Sequence, residues 1–82
     1  MLSGKVIGTI VSTRKVESLV GSKFLEVRLF RDGKDSNEYI IAIDTVGAGI
    51  GEKVLITTGS GARLALDNPN TPTDAVIVGI ID

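Results

Sequence analysis

The sequence predicts an all-β domain: a small five-stranded barrel with one short helix between the fourth and fifth strands. Three observations carry that reading. Nineteen of the 82 residues are Val or Ile, and β-branched side chains fit a pleated, half-buried surface. Ten residues are Gly and only two are Pro, both in one loop, so the chain is punctuated for turns and bulges. Residues 24–30 alternate strictly, with Leu25, Val27 and Leu29 on one face and Glu26 and Arg28 on the other.

The elements follow in order. Residues 5–13 form the first strand, with Gly8 predicting a bend or bulge in its middle. A polar connection over 14–23 leads to the second strand, 24–30. The cluster 31–37 contains an Asp32-Gly33 pair and reads as a rather long hairpin loop. The third strand, 38–43, is almost wholly apolar. A Gly-rich crossover over 44–51 leads to the fourth strand, 52–58. Residues 59–66 read as one or two helical turns, with Ser60 as the cap. Residues 67–74 are a loop on composition. The last strand is 75–81. Nothing divides the chain, so 1–82 is one domain, as its length also implies.

Composition excludes several functions. There is no Cys and no His. Thiol nucleophiles, thiolate metal sites and the commonest general base are therefore absent. Lys plus Arg is 9 and Asp plus Glu is 10, a net charge of −1. Nucleic-acid binders usually carry a basic excess. The longest apolar run, 39–43, is five residues, far short of a membrane span. The amino-terminal MLSGK lacks the apolar stretch of a signal peptide, so the expected address is the cytoplasm.

No pattern of residues promises catalysis, a metal or a cofactor. Asp32, Asp35 and Glu38 sit around a turn, and Asp67 and Asp74 flank a loop. Asp44 ends a strand and is expected to cap the following turn. Gly47, Gly49 and Gly51 imitate a phosphate loop, but a strand follows them where a helix is required. Arg63 suits either an anion at the helix start or a carboxylate such as Asp44 or Glu52, in its own chain or a neighbour's. Phe24, Arg28 and Phe30 share a strand face, the one hint of an OB-type platform for single-stranded nucleic acid.

The first, third and fifth strands are apolar on both faces, whereas a small barrel has a single dry side. Surplus apolar surface of this size predicts self-association. Cover by the chain's own loops and helix is the competing reading.

Five segments in register resemble the vertex proteins of bacterial microcompartments, the EutN/CcmL family of carboxysomes and metabolosomes. They are GKVIGTIVSTRK (4–15), SLVG (18–21), AIDTVGAGIGE (42–52), GSGAR (59–63) and PTDAVIVGIID (72–82). The resemblance implies an OB-like barrel that closes into a cyclic homo-pentamer. Such a ring caps shell vertices beside hexameric and pseudohexameric shell proteins, without catalysis, cofactor, nucleic acid or membrane. It implies that Ser60, Gly61, Ala62 and Arg63 lie at the five-fold opening, where Ser60 and Arg63 would favour anions if the opening conducted. It places Asp44, Val46, Gly47, Gly49, Glu52, Ile77 and Ile81 at subunit contacts. Gly61 stands where the family commonly has a second serine. Many members also continue beyond the position of Asp82 with another strand or tail.

Overall fold

The computed structural model describes residues 1–68 and 70–82; the Pro69 part of the predicted loop lies outside them. Five strands form a closed barrel in the order β1-β2-β3-β5-β4. They are β1 (Leu2–Ile10), β2 (Lys23–Arg31), β3 (Lys34–Asp44), β4 (Lys53–Thr58) and β5 (Ala75–Ile81). One helix, α1 (Ser60–Leu64), separates β4 from β5, and a 3-10 turn spans Glu17–Leu19. All strand pairs are antiparallel except β3 with β5.

Alternation in β2 works as the sequence predicts. Leu25, Val27 and Leu29 are buried in a core completed by Val6, Ala42, Ala48, Val54, Ile56, Ala75 and Ile77. β1 shifts register between Val6 and Gly8, so the bulge falls beside the predicted glycine. Ile7, between them, faces outward at 39% exposure, on the same side as Lys5.

β1 begins at Leu2, three residues before the predicted start, and ends at Ile10. Its early residues are held on both sides, since Gly4 pairs with Leu29 of β2 and Val54 of β4. A Cβ on Gly4 would stand 2.5 Å from the Arg28 carbonyl oxygen. Gly4→Ala therefore forces β1 and β2 apart. Urea unfolding should show a loss of about 1–3 kcal/mol, the usual cost of overpacking.

The predicted long hairpin loop is instead a two-residue turn. Asp32 and Gly33 both take positive φ, 52° and 74°, as a turn matched to strand twist requires. β3 therefore starts at Lys34. Its polar first residues look like loop but are tied into the ladder by Ser36. The Ser36 hydroxyl donates to the Leu29 carbonyl at 2.7 Å and accepts from the Glu38 amide at 3.1 Å, while Arg28 Nε donates to the Ser36 carbonyl at 2.6 Å.

A second, smaller core lies outside the barrel. Ala62 of α1 packs with Ile43 and Val76, flanked by Leu19, Phe24, Leu66 and Val78. The helix and its neighbouring loops thus bury part of the surplus apolar surface of β3 and β5. The remainder stays exposed, at Ile7, Tyr39, Ile41, Val46, Ile50, Leu55, Leu64, Ile80 and Ile81 among others.

Candidate subunit-contact surface

The Gly-rich crossover between β3 and β4 is a rigid cap on one end of the barrel. Asp44 closes it from the front. Its carboxylate accepts the amides of Val46 at 3.1 Å, Gly47 at 3.1 Å and Ala48 at 3.0 Å. Lys23 Nζ stands 3.8 Å from that carboxylate and donates to the Ala48 carbonyl at 3.2 Å. Glu52 closes the back, accepting the Gly49 amide at 2.7 Å. Backbone bonds from Gly51 to Val6 and from Val6 to Glu52 stitch the segment to β1. Thr45 donates to the Ile77 carbonyl at 2.8 Å.

This arrangement separates roles that the sequence ran together. Asp44 caps its turn as predicted. Ala48 is wholly buried and plugs the barrel. Gly47 and Gly51 hold positive φ, 81° and 91°, which glycine adopts without strain. The amides a phosphate would need at 46–49 are already taken by the two carboxylates. Among the residues the cap exposes are two large apolar ones, Val46 and Ile50, the latter at 69% exposure, beside Thr45 and Glu52.

The segment from Gly59 is built differently from expectation. Gly59, with φ 66°, is the residue before the helix, and Ser60 is its first residue and caps nothing. The Gly59 amide donates to the Asp74 carbonyl at 2.9 Å. Ala62 is fully buried in the second core, so it presents no surface to an opening. Arg63 pairs with neither Asp44 nor Glu52 inside the protomer; its Nη1 donates to the Thr73 carbonyl at 3.3 Å. A Cβ at Gly61 would stand 3.1 Å from Thr57 Oγ1, so glycine there makes room for Thr57. Ser60 and Leu64 are the exposed side chains of this helix.

Ile77 must be reassigned. It is 0% exposed, inside the barrel core, and its side chain cannot touch another chain. Ile81, at 37%, keeps that possibility. Tyr39 and Ile41 are exposed on the outer face of β3, paired with Arg28 and Glu26 of β2.

The nucleic-acid platform does not form. Phe24 is packed against the second core. Arg28 is held by Ser36 and lies 5.8 Å from the centre of the Tyr39 ring. The carboxylates at the hairpin make one ion pair, Arg31 Nε to Glu38 Oε2 at 2.6 Å. The hydrogen bond from Arg31 holds the Glu38 carboxyl below the usual carboxylate range and raises Arg31 in turn. A lowered carboxyl stabilises the fold at neutral pH and loses that contribution as pH falls through its folded value. Both partners are exposed, so the effect is small. Urea midpoints of the wild type and Glu38→Gln should differ slightly at pH 7 and converge in acid.

Comparison with known proteins decides between the readings. The family described as ethanolamine utilisation protein EutN/carboxysome matches residues 1–82, the whole chain. The chain belongs to the EutN/CcmL family. It is 46% identical to the carboxysome shell vertex protein CcmL of Gloeobacter violaceus, over 100% of this chain and 83% of that protein. The solved structure of Gloeobacter violaceus CcmL superposes with a TM-score of 0.94, covering 100% of this chain and 86% of that one at 46% identity. The GrpN pentameric microcompartment shell protein from Rhodospirillum rubrum superposes at 0.90 with 44% identity, covering 100% and 94%. The five-strand barrel with one short helix is the fold these relatives share.

Proposed function

We propose that this EutN/CcmL protein is a structural component of a bacterial microcompartment shell, where five copies form a ring that caps a vertex. The observation that carries the reading is the full-length match to a pentameric shell protein. The exposed apolar residues left on a well-closed barrel support it, since a monomer of this size has little reason to display them. Its work is geometric. Sheets of hexameric or pseudohexameric shell proteins must turn a corner, and a five-fold unit fills the gap and seals the enclosed enzymes. The protein acts inside the bacterial cell as part of that shell, without chemistry of its own.

Within the ring, the cap over residues 44–52 supplies a preorganised contact. Asp44, Gly47, Gly49 and Glu52 shape it, and Val46 and Ile50 touch the neighbour. Ser60, Gly61 and Arg63 lie nearest the five-fold axis. Deletion of the gene from its host, in a strain with no paralogue, tests the role. Electron microscopy should show shells that are open or elongated, and restoring the gene should close them. Closed polyhedral shells without the protein would contradict it.

A further inference from the structure

Three cations stand side by side across the outer face of the barrel. Lys5 of β1 pairs directly with Arg28 of β2 on one side and with Lys53 of β4 on the other. The next residues in register, Val6, Val27 and Val54, are buried in the core, so the three charged side chains point outward. Lys5 and Lys53 are exposed and Arg28 is half-buried. Adjacent strands lie about 4.8 Å apart, so the row sets three positive charges within about 10 Å. It does so in a chain of net charge −1.

Like charges directly opposite one another destabilise a sheet. Among the described residues, none of the three makes an ion pair. Arg28 is held by the Ser36 carbonyl and the Tyr39 ring, which fix the guanidinium without neutralising it. The acids beside the row in register are Glu26, Glu52 and Asp82. Glu52 is committed to the Gly49 amide, and neither Glu26 nor Asp82 pairs with the row. We propose that this row docks an acidic helix of another protein, laid across the strands with a line of carboxylates against the three cations. The spacing selects a helix. Its turns rise about 5.4 Å, close to the strand spacing, whereas alternate residues of an extended segment are about 6.8 Å apart and fall out of step. An open sheet face also suits a line of contacts rather than an enclosed small ligand. Complementary charge sets register and speeds the encounter more than it adds affinity. The row is complete within one protomer, so the inference stands apart from the ring reading.

Fluorescence anisotropy of the full chain with labelled peptides tests it. The probe is an Ala-rich helical peptide with Glu along one face. One control has Gln in place of Glu, and another alternates Glu with Val and is extended. The helical Glu peptide should bind at low ionic strength and be released by salt. Lys5→Gln and Lys53→Gln should each weaken it by about two- to fivefold, the range for one exposed ion pair. Lys34→Gln, at the exposed hairpin tip, should not. Urea unfolding at low ionic strength gives a second reading: Lys5→Gln and Lys53→Gln should each unfold at slightly higher urea, because each relieves repulsion in the sheet. Equal binding of the Glu and Gln peptides, or unchanged binding by both variants, would overturn the proposal. Tighter binding of the extended control would overturn the helix, and tighter binding of a single-stranded oligonucleotide would assign the row to phosphates instead. Lower stability in both variants would show that the cations are partnered within the fold and remove the premise.

Discussion

Ile77→Ala should lower the free energy of unfolding by about 2–5 kcal/mol, the range for removing a large buried aliphatic side chain. Ile77 sits in the barrel core with Leu25, Val27, Val54 and Ile56, and none of its side chain reaches solvent. Neighbours on several strands would have to move to fill the space, and the closed sheet limits that movement. The paired variant Ile81→Ala should cost far less in folding, because Ile81 is partly exposed at the end of β5. Urea denaturation of both at one protein concentration gives the comparison. Equal losses would place Ile77 in a less confined site than the barrel core.

Asp44→Ala should cost about 2–4 kcal/mol. Three amides lose a charged acceptor in one step, and hydrogen bonds to charged groups are worth about 1.5–3 kcal/mol each before partial rescue by water. The Asp44 side chain is itself 2% exposed, so rescue is limited. The damage reaches beyond stability. Without Asp44 the cap loosens, and Val46, Ile50 and the buried Ala48 lose their fixed positions. Asp44→Asn should be milder, since one amide oxygen can still accept. Amide exchange at 46–48 follows the local effect: it should rise sharply in Asp44→Ala and modestly in Asp44→Asn. Unchanged protection at 46–48 in Asp44→Ala would show that the carboxylate does not hold the cap.

The barrel was legible because its inward residues alternate where it matters. Leu25, Val27 and Leu29 announced β2, and the run from Ala75 to Ile81 announced β5 with its bounds intact. Less visible were features that depend on distant partners. Residues 34–37 look like loop by composition, yet Ser36 and a tight Asp32-Gly33 turn draw them into β3. The apolar outer face of β5 looked like contact surface along its length. Val76 is in fact covered by Ala62 and its companions, and Ile77 faces the barrel core. A pattern of apolar residues on two faces states that both are dry; it does not state what dries them. The same limit applied to Ala62 and Arg63, whose segment was recognisable while their orientations depend on β5 and the Thr73 carbonyl.

The central claim is that the chain works as a closed ring of five. Native mass spectrometry of the purified protein tests it most directly. With a chain mass of 8.6 kDa, a closed five-fold ring should appear as a dominant species of about 43 kDa. A sample that remained at the single-chain mass across the micromolar range would contradict the account.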